Sequence, residues 1–158
     1  MPEPAEPTTY RGMPAWGFAF SGPLRDELTA LALDGTKTAT AGLAVDYVVD
    51  GGMPPRPGDR QALLDSDGRV VAIVETTRTE LSTISLVTDD FARAEGEGFA
   101  DAADWREAHE RFWKGYIGDL RTALRDPSFE LTDSTVVVCE WFRVVERLDV
   151  EEPVEGAA

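Results

Sequence analysis

The chain has 158 residues, with 30 acidic against 15 basic side chains, a formal charge of -15, and 42% hydrophobic and 28% charged content. That size suits one domain with its own core. The apolar share excludes a wholly disordered chain, and no apolar run nears the roughly 20 residues of a membrane helix. Residues 1–12 and 146–158 carry 7 acids and 2 bases, which leaves the body at -10, a charge that speaks against general coating of duplex DNA or RNA.

In chain order, residues 1–14 hold four prolines and no apolar periodicity, so they read as a disordered lead-in. A domain is expected over 15–148, and 149–158 reads as an acidic tail. Trp16, Phe18 and Phe20 alternate, and in an extended segment they share one face, either a core or a platform for a nucleobase. Pro23–Asp34 is predicted as a helix: Pro23 suits the first turn, Leu24, Leu28 and Leu31 share a face, and Gly35 suits the C-terminal cap. Gly51–Asp59, broken by prolines, is expected to be a loop.

Arg60–Asp65 and Arg69–Thr77, joined by Ser66-Asp67-Gly68, predict a hairpin. Leu86–Ala94 and Ala102–Trp113 read as helices, the second with Trp105, Ala108 and Phe112 at helical spacing. Thr135–Val145 is a β-branched and aromatic strand. Strands around helices, without a βαβ rhythm, predict an α+β fold. The single cysteine, Cys139, excludes an internal disulfide, suits a reducing cytoplasm and reads as a small buried hydrophobe. One histidine and one cysteine leave few ligands for zinc. No charged leader runs into an apolar stretch, so no secretory signal is expected.

Chemistry concentrates in two segments. Gly35-Thr36-Lys37-Thr38-Ala39-Thr40 follows the first helix and holds one of only two lysines in a chain with 13 arginines. A lysine, unlike an arginine, can deprotonate near neutral pH. If the backbone turns there, Lys37 and Thr40 can face one pocket; if it is fully extended, they point to opposite faces. Otherwise Lys37 is an ordinary loop lysine. Glu95-Gly96-Glu97-Gly98 either presents carboxylates from an unusual backbone or simply ends a helix beside surface acids. His109, one turn after Trp105, reads as a substrate contact, an acid-base group or a structural ring. Glu75 extends the apolar strand Val70–Val74, where alternation sets its face.

This ordered series resembles the ASCH domain family. Gly35, Lys37 and Thr40 match the family's G-x-K-x-x-T signature. The resemblance continues through Pro57-Gly58-Asp59, Val74–Thr77, Phe91–Gly98, Trp105-Arg106 with His109 and Phe112-Trp113, and Cys139–Val145, and it covers about residues 16–147. It implies a PUA-like fold, a small, mostly antiparallel β-barrel decorated by helices, and a role in RNA or nucleoside metabolism. Family members are known or proposed to hydrolyse the acetyl amide of N4-acetylcytidine, to cut single-stranded RNA with a divalent metal, or to bind RNA. Carried over position by position, the catalytic set is Lys37, Thr40 and Glu97.

Trp16, Phe18, Thr38, Asp59, Glu75, Glu95 and His109 are the expected substrate contacts. No cofactor is expected for the hydrolase; a divalent metal enters only with the ribonuclease alternative, for which Asp59, Glu75, Glu95 and Glu97 supply acids. The expected partners are a small nucleoside or single-stranded RNA, not duplex DNA and not a membrane. The segment Ala102–Asp126 exceeds the compact amidohydrolases.

Overall fold

The structure is a computed structural model, and it describes residues 9–148. In chain order its elements are β1 (Thr9–Tyr10), β2 (Met13–Trp16), α1 (Pro23–Leu33), β3 (Ala39–Leu43), α2 (Ala44–Asp50), β4 (Arg60–Leu64), β5 (Val70–Thr83), a 3-10 turn at Ile84–Leu86, α3 (Asp89–Ala94), α4 (Ala102–Lys114), α5 (Ile117–Leu124) and β6 (Val136–Arg147). The sheet order is β1-β2-β4-β5-β6-β3. β2 runs parallel to β4, whereas β1–β2, β4–β5 and β3–β6 are antiparallel. The fold is therefore α+β with a mixed six-stranded sheet. Among the described residues the strand order has two ends, and the expected closed barrel is not formed. At one end stands a strand of only two residues, too short to extend the ladder further.

The chain divides into two compact units: residues Met1–Thr38, Arg56–Thr77 and Phe142–Ala158 form one, and Ala39–Pro55 with Arg78–Trp141 the other. The long strands β5 and β6 contribute to both.

In the first unit the β4–β5 hairpin is buried on both faces. Leu63, Ala72 and Val74 pack with Phe18, Phe142 and the α1 residues Leu28 and Ala32. Ala62, Leu64, Val70 and Ile73 form a second cluster with Tyr10. A register shift between Leu63 and Leu64 lets the alternation persist across an irregular pairing. The buried Tyr10 ties down the end of a segment expected to be loose, so Thr9–Tyr10 and Met13 belong to strands. The remaining expectations for 1–8 and 149–158 lie outside the described residues.

Helix α1 starts on Pro23 and is followed by Gly35 at φ +85°, as its sequence predicts. Its buried face differs from the leucine stripe. Leu24 is exposed, and Arg25 is buried in its place, with Nε donating to the Phe18 carbonyl at 2.9 Å and Nη2 to the Ala19 carbonyl at 3.0 Å. A Cβ on Gly17 would lie 2.7 Å from that guanidinium, so a side chain there would displace the Arg25 head. The turn also ends the expected Trp16-Phe18-Phe20 alternation: β2 stops at Trp16, Ala19 takes φ +52°, and Phe18 is buried while Phe20 is exposed.

In the second unit a single cluster gathers Ala39 and Leu43 of β3, Val137 and Cys139 of β6, and Ile84, Val87, Phe91, Trp105, Trp113 and Leu120. Ala39, Ala41 and Leu43 turn into it, which sends Thr40 and Gly42 to the opposite face of β3. Helices α2 and α5 and strand β3 have no counterpart in the sequence reading. Each is short, and β3, Ala-Thr-Ala-Gly-Leu, lacks the β-branched density that marks β6.

Candidate functional site

In the second unit, α3 begins with Thr88, whose Oγ1 accepts the Phe91 N–H at 3.1 Å. The helix ends at Glu95, after which Gly96 at φ +69° and Gly98 at φ +91° turn the chain. Helix α4 is capped by Asp101, which accepts the Asp104 N–H at 2.9 Å. Its turns stack the His109 ring on Trp105, with centroids 4.4 Å apart and planes 21° apart, and set it edge-on to Trp113 at 5.3 Å.

These aromatic walls enclose a proton-sharing pair. His109 Nδ1 lies 2.9 Å from the Trp105 carbonyl. A carbonyl only accepts, so Nδ1 carries a hydrogen, and Nε2 is left facing Glu95 Oε2 at 3.1 Å. The Glu95 side chain, 1% exposed, also accepts the Trp105 indole N–H. A lone pair against a carboxylate is repulsive, so one proton is shared between His109 and Glu95. Burial works against the imidazolium, yet Glu95, the Trp105 carbonyl and Glu97 together raise the His109 pKa above its ordinary value. Glu97 completes the group: one ligand atom each from Glu95, Glu97 and His109 lie within 4.8 Å of one another.

On the other face of β3, Thr40 pairs with Glu140 across the β3–β6 ladder. The Tyr47 ring of α2 lies over Gly42, 3.8 Å from where a Cβ would stand, and its hydroxyl donates to Glu140 Oε1. Burial raises the pKa of Glu140, and the Tyr47 hydrogen bond offsets part of that rise. The neighbouring Asp46 accepts the Tyr116 hydroxyl at 2.7 Å. Cys139 lies 4% exposed in the core, its thiol pushed up to about 12 chiefly by burial, which fits the inert hydrophobe expected.

In the first unit Lys37 is 1% exposed, with Nζ 5.3 Å from the Phe18 ring centroid. Phe18 meets Trp16 edge-on at 4.8 Å, and the Trp16 indole donates to Gln61 Oε1 at 2.6 Å. A groove of about 540 Å³ is lined here by residues including Asp34, Lys37, Thr38, Phe142, Arg143 and Arg147. Thr38 is exposed, and its carbonyl accepts the Phe142 N–H at 3.0 Å. Glu75 bridges Arg60 at 3.2 Å and Arg143 at 2.8 Å, and hydrogen bonds from Arg143 and then Arg60 lower its pKa. Asp59 is exposed and caps its own loop, accepting the Arg56 N–H at 2.8 Å.

Of the expected residues, the structure thus groups Glu95, Glu97 and His109 in one unit, and Lys37, Trp16 and Phe18 in the other. Asp59 and Glu75 belong to the first unit and are held there by hydrogen bonds. The sequence reading did not single out Tyr47 or Glu140. The signal for Glu140 was an acid inside the otherwise apolar run from Val136 to Trp141.

A mixed sheet flanked by helices, and a buried carboxylate–imidazole pair beside a second glutamate, define a small α+β domain with one tight cluster of titratable side chains. The ASCH domain model matches residues 14–146, and the chain belongs to that family. Among solved structures it is similar to the ASCH domain of Lactobacillus crispatus JV V101, with 29% identity, 84% of this chain and 79% of that one covered, and a TM-score of 0.72. It is also similar to protein EF3133 of Enterococcus faecalis V583, with 27% identity, coverage of 84% and 76%, and a TM-score of 0.72. No curated protein matches the sequence. Among the described residues no helix is long and apolar enough to cross a membrane.

Proposed function

We propose that this ASCH protein is a small cytoplasmic hydrolase of RNA or nucleoside metabolism that cleaves the acyl amide of a modified nucleoside such as N4-acetylcytidine, on a fold of the PUA-like group. The observation that carries this reading is the Glu95–Glu97–His109 cluster, in which a second carboxylate stands beside a buried pair already sharing a proton. Amide hydrolysis needs a group that can move a proton to the departing amine, and a carboxylate beside an imidazole suits that task. Glu97 takes the acid-base role. The family resemblance names Thr40 and Lys37 with it, and on this reading Thr40 supplies a hydroxyl and Lys37 stabilises the developing oxyanion.

Incubation of the purified protein with N4-acetylcytidine, followed by chromatography of released cytidine, tests the reading. Turnover is expected to fall at least about 100-fold in Glu97→Gln, in line with the loss of a general acid-base group. The absence of turnover in the wild type refutes the assignment.

The same cluster supports a second reading, a metal-dependent ribonuclease acting on single-stranded RNA. Two carboxylates and an imidazole suit a divalent ion such as Mn²⁺. The Trp105 carbonyl fixes the His109 tautomer that turns Nε2 toward the carboxylates, as ligand histidines are commonly held. Glu95, Glu97 and His109 would hold the ion, which when bound supplies Lewis-acid polarisation of a phosphoryl group. Chelator-sensitive cleavage of a single-stranded oligoribonucleotide distinguishes this reading from the first.

A further inference from the structure

We propose that Glu140, held under the Tyr47 phenol, is the base that takes the proton of the Thr40 hydroxyl. The inference rests on the reading of Thr40 as a nucleophile and adds the group that would make its hydroxyl reactive. A threonine hydroxyl is a poor nucleophile until a neighbouring base accepts its proton.

Three observations within one unit place Glu140 for that task. Thr40 and Glu140 are direct partners in an antiparallel ladder, so their side chains share a face with Cβ atoms about 4.5–5.5 Å apart. Among the described residues the Thr40 hydroxyl makes no hydrogen bond, and Glu140 is given only one, from Tyr47 to Oε1; Oε2 remains as an acceptor. Glu140 is 6% exposed, and a carboxyl at such a position in a strand is destabilising relative to an apolar residue unless its hydrogen bonds compensate. Tyr47 completes the arrangement: its ring edge passes close to Gly42 and its hydroxyl donates to the carboxyl.

In the step proposed, the Thr40 Oγ1–H bond breaks and its proton passes to Glu140 as Oγ1 bonds to the acyl carbon. The amide C–N bond then breaks as Glu97, the acid of the proposed reaction, gives a proton to the departing amine nitrogen. Water cleaves the resulting threonine ester, its OH going to the acyl carbon and its proton to Glu97, while Glu140 returns its proton to Thr40 Oγ1 and the carboxylic acid is released.

The titratable group set against Glu140 is Tyr47 of α2, whose own phenol is raised by burial and by Glu140, Asp46 and Asp50. Cys139, on the opposite face of β6, stays protonated. Acylation of Thr40 therefore needs Glu140 ionised and rises with pH. Because the Tyr47 hydrogen bond lowers the Glu140 pKa, Tyr47→Phe is expected to move the midpoint of that rise to higher pH.

The full chain, treated with p-nitrophenyl acetate across a pH series, would be digested and Thr40 acetylation measured by fragment-ion mass spectrometry. The wild type is expected to label at Thr40, Glu140→Gln at least about 100-fold more slowly, and Tyr47→Phe with its midpoint displaced upward. No labelling of the wild type at Thr40, undiminished labelling in Glu140→Gln, or a Tyr47→Phe midpoint that stays or falls each overturns the proposal. Thr40 labelling that follows the expected pattern, in a protein that releases no cytidine from N4-acetylcytidine, sustains the Glu140 assignment and defeats the amidohydrolase reading.

Discussion

Glu95 is the residue whose replacement tests the shared proton most directly. It accepts the Trp105 indole N–H and faces His109 Nε2 at 3.1 Å, almost wholly buried. In Glu95→Ala the Trp105 donor and a buried imidazole lose their partner together, and breaking a buried pair from one side costs about 3–5 kcal/mol. Glu95→Gln differs in kind. Both contacts fall on the one oxygen Oε2, so a glutamine meets only one of them: with its amide oxygen there it accepts the indole N–H but faces the Nε2 lone pair of a neutral His109 whose Nδ1–H remains on the Trp105 carbonyl. One hydrogen bond is lost with the charge while the side-chain volume is kept, and the expected cost is about 1–3 kcal/mol, below that of the alanine variant.

The two variants also differ in their pH dependence. The His109 pKa is raised in the folded wild type, so its stabilisation is fully present below the unfolded value of about 6.5 and is lost as pH rises through the folded value. In Glu95→Gln the burial contribution is opposed only by the Trp105 carbonyl and Glu97, so the folded value falls relative to the wild type. The stability gained on lowering the pH through about 6.5 is then smaller than in the wild type. Urea unfolding at pH 5.5, 7 and 9, followed by tryptophan fluorescence, measures both effects. Equal losses in the alanine and glutamine variants, or a wild-type stability independent of pH over that range, would refute the shared proton.

Two further outcomes follow from local geometry. Thr88→Ala removes the side-chain acceptor for the Phe91 N–H at the start of the six-residue helix leading to Glu95; it should cost about 1 kcal/mol in urea unfolding, and Thr88→Ser should restore most of it. A Thr88→Ala protein as stable as the wild type would remove the cap from the account. The Cys139 thiol, buried and pushed up to about 12, should be unreactive toward a disulfide reagent at pH 8 in the native protein and react once urea unfolds it, because the thiolate is the nucleophile. Fast stoichiometric labelling of the native protein would show the thiol to be accessible.

The elements that were legible in sequence are those whose local chemistry agrees with their environment. Helix α1 carries its own start and stop in Pro23 and Gly35, the β4–β5 hairpin its own turn, and β6 its β-branched density. The open sheet was not legible, because closure depends on how terminal strands pair, and β1 and β2 pair through residues whose prolines argued for disorder. The candidate site divides the same way. Glu95, Glu97 and His109 were each visible as chemistry-bearing residues, but their meeting depends on two positive-φ glycines and the start of α4.

From the sequence alone came the family, the α+β class and the short list of polar side chains, since these rest on residue types and spacing along the chain. Tertiary structure alone decided which of them meet. It set His109 on Glu95 through a helix packed beside a turn, buried Arg25 where a leucine was expected, and put Glu140 beside Thr40 through strand register. Ladder partners 100 positions apart, such as Thr40 and Glu140, leave no periodic trace in either segment, because each strand's alternation fixes its own faces but not the neighbour it will face.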